Sequence, residues 1–249
     1  FKKNIKVLDC TFNINGSLKK RLDELRLEAE AAVREGGKHL ILTDKKINEK
    51  KCSIPMALTI GAINSRLVDL GIRGFTSINV ETSEVLDTHS FAVLLGVGAT
   101  TINPYIACDS IYQRYEKKLF GKFNFEECIQ RYIKSVDNGL LKIMSKMGIS
   151  VLSAYRGGCN FEALGLSRSV VAEYFPGMVS RISGIGINGI EKKIKELYKK
   201  AFQKNVSILP IGGIYKYRKN GEIHQYQGKL IHMLQSAVTS NSYKIYKRY

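Results

Sequence analysis

The chain has 249 residues, 44% of them hydrophobic, and a formal net charge of +17. That length allows one large α/β unit, or one unit with part of another, and the apolar content suits a buried core and excludes a disordered chain. No apolar run approaches the roughly 20 residues of a membrane-spanning helix, and Lys2, Lys3 and Lys6 interrupt any apolar core of a signal peptide.

In chain order, Ile5 to Asp9 reads as a short strand. Ser17 can cap a helix whose apolar positions Leu18, Leu22, Leu25, Ala29, Ala32 and Val33 make one buried stripe, and Gly36-Gly37 can end it. Leu40 to Asp44 is a continuous apolar run, as expected of a parallel strand covered on both faces. Pro55 suits the first turn of the next helix, which Gly71 closes. Phe75 to Val80 is the next strand. Asp87 caps a short helix through Leu95 that Gly96 stops, Ala99 to Ile102 is a strand, and Asn103-Pro104 opens another helix. Asn124, with Glu126 and Glu127 in its first turn, starts a longer helix. Gly139 is expected to break that helix before Leu140 to Met147, and Ile149 to Ala154 is again strand-like.

Alternating strands and helices imply parallel pairing through right-handed crossovers. Several strands end on polar residues, namely Asp9, Asp44, Glu81 and Asn103, at the edge where α/β folds carry function. For Asp44 and Asn103 the plainer role is to cap a helix or satisfy loop amides. Beyond about residue 155 the rhythm is less regular. Helical patterns are expected at Phe161 to Leu164, Ser167 to Tyr174, Asn188 to Phe202 and Lys229 to Val238. Asn220-Gly221 between Tyr215–Arg218 and Glu222–Tyr226 signals a hairpin. The fold class is thus α/β, with barrel-like βα repeats and mostly parallel strands, followed by a mainly helical connector with a β-hairpin.

The basic excess raises a stand-alone nucleic-acid-binding module as the alternative function. The lysines are scattered, however, and no basic stretch alternates with stacking aromatics. The plainer reading is lysine on ordinary solvated positions, with no nucleic-acid partner and no membrane. Cys10, Cys52, Cys108, Cys128 and Cys159 have long gaps and form no C-x-x-C pair, so zinc and iron–sulfur spacings are absent. Free thiols in a reduced, cytoplasmic protein follow. Gly184-Ile185-Gly186-Ile187-Asn188-Gly189 fits G-x-G-x-x-G, but Met178 to Ser183 reads as a poor strand, so the dinucleotide context is wanting. Cys159 after Gly157-Gly158 could have a lowered thiol pKa if it opened a helix; a structural thiol is the plainer reading. The residues alone lead to a barrel-like α/β scaffold and no further.

The stretch Leu140 to Gly186, LLKIMSKMGISVLSAYRGGCNFEALGLSRSVVAEYFPGMVSRISGIG, resembles the junction between the central and FMN-binding synthase domains of glutamate synthase large subunits. LILTD, IPMALTIGAI and HSFAVLLGVGATTINPY resemble the central domain in the same order, and GGIYKYRKNGEIHQY resembles the sequence after the junction. The resemblance implies central domain over residues 1–145, and connector plus the start of the synthase domain over 146–249. Both chain ends are expected to be internal to a longer protein. It also implies a parent enzyme that makes glutamate from glutamine-derived ammonia and 2-oxoglutarate. The parent's cofactors would be FMN and a 3Fe-4S cluster, and its electron source an NAD(P)H-oxidising small subunit or ferredoxin. The compartment would be cytoplasmic, or plastid-like with ferredoxin. The partners of this segment would be the amidotransferase and FMN domains of the same chain. No catalytic, cofactor or metal residue falls within these residues on that mapping. The expected contacts at the domain junction or ammonia path are Lys146, Met147, Ser150, Tyr155 and Arg156. The chain departs from the family's usual residues at Asn64-Ser65, at Ser90 beside His89, at Val97 and at Gly158-Cys159.

Overall fold

The structure is a computed structural model describing residues 4–203, 211–214 and 216–249. Strands β1 (Ile5–Asp9), β3 (His39–Thr43), β5 (Ser77–Glu81) and β6 (Thr101–Asn103) form one parallel sheet in that spatial order. Helices α1 (Leu18–Arg34), α2 (Met56–Asp69) and α3 (Thr88–Gly96) lie on the three crossovers. Each unit adds beside the last in chain order, which is the winding of a barrel wall. A short antiparallel pair, β2 (Thr11–Asn13) with β4 (Lys51–Ser53), stands beyond the carboxyl ends of the first two strands.

Helix α1 is built as its spacing implies. The Ser17 side chain accepts from Lys20 N, and Leu18, Leu22, Leu25, Ala29, Ala32 and Val33 are the buried residues. Burial of each large apolar side chain contributes about 1.5–3 kcal/mol, which outweighs the weak helix propensity of any single position. The sheet is not covered on both faces, as the apolar run at Leu40 implied. Leu8, Leu40, Leu42, Ile78 and Val80 are buried on one face, whereas the register Val7–Ile41–Asn79–Thr101 on the other runs from intermediate to exposed. Crossovers of one hand that always step the same way place their helices on one face.

Helix α4 (Tyr105–Glu116) follows Pro104 without a side-chain cap. Asn103 ends β6 and donates to Glu81 Oε1 at 3.4 Å, so it is a sheet-edge residue and not the expected cap. Helix α5 (Phe125–Lys146) opens with a capping box between Asn124 and Glu127. It runs unbroken through Gly139, contrary to expectation. A Cβ at Gly139 would meet Thr88 Cγ2 at 2.5 Å, so this glycine serves close packing against the start of α3. The helix ends on Gly148 at φ +71°, with Ile149 N donating to Met144 O at 2.9 Å.

The expected strand at Ile149–Ala154 is absent. A turn leads instead into α6 (Leu152–Tyr155), because Ile149 and Tyr155 reach the core while Val151 and Leu152 between them are exposed. The expected helix at Phe161–Leu164 is strand β7 (Glu162–Leu166), paired in parallel with β8 (Val179–Ile185) across α7 (Arg168–Tyr174). Gly165 at φ +77° opposes a helix there. The segment judged a poor strand is therefore part of β8. Ser167 caps α7, and α8 (Ile187–Ala201) closes the first compact unit, which ends at Phe202.

The second unit, Gln203–Tyr249, holds α9 (Gly228–Thr239) and α10 (Tyr243–Tyr246). Asn220 and Gly221 do turn, with Gly221 N donating to Arg218 O at 3.0 Å. The hairpin is nevertheless not formed: residues 216–219 and 222–226 contain no strand, and Tyr215 lies outside the described residues. Two short arms need a third strand or a helix to bury a face, and here Ile223 and Tyr226 are exposed. The rings of Tyr243, Tyr246 and Tyr249 stack in a row, with centroids 6.2 and 6.3 Å apart.

Candidate functional site

The carboxyl ends of the parallel sheet bring Asp9, Thr43, Glu81 and Asn103 side by side in register. Asp9 Oδ1 accepts from Thr11 N at 3.1 Å and Thr11 Oγ1 at 2.7 Å, and Asp9 Oδ2 faces the Lys46 and Lys51 amines at 3.5 Å each. Burial works to raise the Asp9 carboxyl pKa, but the Thr11 hydrogen bonds and the two lysines hold it below the usual carboxylate value. Glu81 pairs with Lys45 at 2.7 Å and accepts from Thr43 Oγ1 at 2.9 Å, and the Lys45 bond leads in holding it low.

Asp44, one residue past β3, is 0% exposed. Its Oδ2 accepts from Thr82 Oγ1, Ser83 N and Ser83 Oγ at 2.8, 2.9 and 2.9 Å, and its Oδ1 from the Tyr105 hydroxyl at 2.8 Å. Burial, and then the Asp44 bond, push the Tyr105 hydroxyl well above its ordinary pKa. The Lys45 amine lies 5.2 Å from the Tyr105 ring centre, a cation–π contact over the same group. So Asp44 ties the ends of β3, β5 and α4 together and has its lone pairs filled. This includes the loop amide its sequence position suggested.

Glu84 completes the edge. Helix α2 starts after Pro55 with no side-chain cap, and Glu84 Oε2 accepts from Met56 N at 2.8 Å in its place. The residue keeps much of its surface in solvent, whereas its carboxyl end turns inward, and titration follows the carboxyl end. Loss of solvent, opposed by the Met56 bond and aided by nearby Asp44, pushes it up to about 7. In the unfolded chain the value is 4.5. The folded state therefore holds the extra proton between these values, and stability falls as pH rises through that window. Glu84→Gln is expected to flatten this slope: relative to wild type, the variant gains thermal stability above the window compared with below it. Melting temperatures measured on both sides check this, and parallel pH profiles for the two proteins would disprove it.

The five residues expected at the junction do not form one cluster. Lys146 ends α5, and Met147 and Ser150 follow it at the surface. Tyr155 is 2% exposed and belongs to a small core with Ala92, Leu95 and Met144; its hydroxyl donates to Ala92 O at 3.1 Å. Arg156 is exposed next to it. The following loop is fixed to the C-terminal end of α3, with Gly157 N donating to Leu95 O and Cys159 N to Gly96 O. Cys159 opens no helix, and burial raises its thiol pKa.

The G-x-G-x-x-G run has the strand before it and the helix after it that sequence reading found wanting, since β8 ends at Ile185 and α8 begins at Ile187. Its glycines serve packing: a Cβ at Gly184 would collide with Gly165 O, and one at Gly189 would press on Ile185. Sequence reading missed Thr82, Ser83, Glu84 and Tyr105. The available signal was a polar triplet directly after a strand that ends on Glu81. Among the described residues, no three His, Cys, Asp or Glu side chains gather as a metal-holding group. The five cysteines are free and do not gather, so they do not fit an iron–sulfur cluster. No described helix is long and apolar enough to cross a membrane.

Comparison with known proteins agrees along the chain. Residues 1–167 match the family model for the glutamate synthase central domain. The chain is 52% identical over 245 residues to the glutamate synthase [NADPH] large chain of Azospirillum brasilense, which covers 97% of this chain and 16% of that protein. It is 38% identical to the corresponding large chain of Bacillus subtilis (strain 168), with 93% and 15% covered. It is 35% identical to the chloroplastic ferredoxin-dependent glutamate synthase of Spinacia oleracea, with 97% and 16% covered. The chain therefore spans about one sixth of these relatives, and it belongs to the glutamate synthase family, with residues 1–167 in the region of the central domain.

Proposed function

We propose that the chain is a scaffold segment of a glutamate synthase large chain. In this reading, residues 1–145 are the C-terminal part of the central domain, and 146–249 are the connector and the start of the synthase domain. The parent enzyme forms glutamate from glutamine-derived ammonia and 2-oxoglutarate by reductive amination. FMN and the 3Fe-4S cluster would supply its redox chemistry from other parts of the large chain. The higher identity to the two NADPH large chains than to the ferredoxin-dependent enzyme favours an NADPH-linked parent.

The observation that carries the scaffold reading is the state of the carboxyl edge. In an α/β enzyme that edge presents free polar groups to substrate. Here Asp44 has four donors, and Asp9 and Glu81 are held by lysines and threonines. Chemistry would then lie elsewhere in the parent, and this segment would hold its neighbours and form part of the ammonia path. The stretch from Lys146 to Arg156 is the part proposed to meet the synthase domain, with Met147, Ser150 and Tyr155 between them.

Lys146→Ala and Arg156→Ala in the complete enzyme test the reading. The expected result is lower turnover with glutamine, and turnover nearer wild type when ammonia is supplied directly. Soluble, folded variants that turn over glutamine at the wild-type rate would end the proposed contact role.

A further inference from the structure

Arg73 stands in a 3-10 turn, Arg73–Phe75, just before β5. Its guanidinium is fixed by three acceptors. Nε donates to Asn64 Oδ1 at 2.7 Å, Nη1 to Thr76 O at 2.6 Å and Nη2 to Gly98 O at 2.9 Å. All three are neutral, so the charge is held in place but not balanced. The arginine ion pairs among the described residues are made by Arg21, Arg26, Arg34, Arg66 and Arg181. Neither Arg73 nor Arg156 makes one.

The two residues are both tied to one place in the fold, the C-terminal end of α3. Gly98, which Arg73 holds, lies just past the C-terminal end of α3, and the Gly157 and Cys159 amides after Arg156 are bound to Leu95 and Gly96 of the same helix end. Burial and then the nearby positive charge of Arg156 lower the Arg73 pKa. Tying the end of α3 to α2 and to the turn before β5 accounts for the three bonds of Arg73. It gives no reason to bring a second guanidinium into the neighbourhood of a half-buried one, an arrangement that like-charge repulsion disfavours. A guanidinium has five N–H donors. With three used on Arg73 and the exposed Arg156 free to turn, several donors remain in the fork geometry that suits a carboxylate.

We infer that Arg73 and Arg156 together form the acceptor for one Asp or Glu side chain presented by another part of the large chain, outside residues 1–249. The inference rests on the scaffold reading above and names the partner chemistry at the Tyr155–Arg156 end of that contact. Charge complementarity carries it: one carboxylate between the two guanidinium groups turns their repulsion into two charge-assisted contacts, and such pairing fixes orientation as well as proximity. Arg73 is preorganised by its three fixed bonds, so little side-chain freedom is lost when the acid arrives.

The test uses the full-length large chain carrying Arg156→Lys or Arg73→Lys. Carbodiimide treatment joins an amine to a carboxylate in direct contact, and a guanidinium does not react, so wild type is the blank at both positions. The Lys45–Glu81 pair at 2.7 Å is the internal control. Peptide mass spectrometry is expected to find both substituted amines joined to the same Asp or Glu outside residues 1–249. No coupling at either position while Lys45 couples to Glu81 would overturn the inference, as would coupling only to an acid within residues 1–249. Either negative result leaves the glutamine and ammonia turnover test of the scaffold reading untouched, so the two ideas can fail separately.

Discussion

Asp44→Ala is expected to lower the unfolding free energy by roughly 3–5 kcal/mol. Each buried donor left without its acceptor costs about 1–3 kcal/mol. The substitution strands the Thr82 hydroxyl, the Ser83 amide and hydroxyl, and the Tyr105 hydroxyl together. The first of these is fully buried with Asp44, and water entering from the edge can rescue only the outer ones. Asp44→Asn keeps one acceptor oxygen and places an amide donor where an acceptor stood, so it should lose less, about 1–3 kcal/mol. Urea unfolding of the two variants beside wild type measures both values. An alanine variant as stable as wild type would show that the edge network is dispensable, and would remove the observation on which the scaffold reading stands.

Tyr155→Ala is expected to cost about 3–5 kcal/mol, the range for emptying a buried aromatic site. The ring fills the small core between α3 and α5 and meets Phe161 edge to face, with centroids 6.4 Å apart. Tyr155→Phe deletes only the bond to Ala92 O and should cost about 0.5–1.5 kcal/mol. The pair of variants separates packing from contact. If Tyr155 acts by packing, the phenylalanine variant in the complete enzyme keeps its glutamine turnover while the alanine variant is destabilised. If phenylalanine alone depresses turnover in a stable protein, the hydroxyl has a role beyond the bond seen here.

Legibility followed the range of the forces involved. The stripe from Leu18 to Val33, the helix starts at Ser17, Asp87 and Asn124, and the strand–helix alternation that implies parallel pairing are local patterns, and the structure reproduces them. The misses arose where distant partners decided. Glu162 to Leu166 has helix-forming residues but is drawn into a strand by pairing with β8. Gly139 looked like a breaker because Thr88, distant in sequence, gives no local sign of its packing there. Ile149 to Ala154 has strand composition, yet Gly148 reverses the chain and only Ile149 and Tyr155 find the core. At the carboxyl edge the strand-end acids were visible in sequence. Their saturation was not, because Thr82, Ser83 and Tyr105 reach Asp44 from 38, 39 and 61 residues away. The same holds for Arg73 and Arg156, which only the end of α3 brings into one neighbourhood.

The order β1-β3-β5-β6 has a topological consequence. Ligand crevices in open parallel sheets form at a switch point, where successive crossovers leave in opposite directions and two loops part above neighbouring strands. A sheet that steps only one way has no such point; any site must be built from the loops above the strand ends, as in a barrel, and here Ser83 and Tyr105 are bonded to Asp44 across that edge. The described sheet thus keeps the winding of a barrel wall, with the loops above Asp44 tied down by hydrogen bonds.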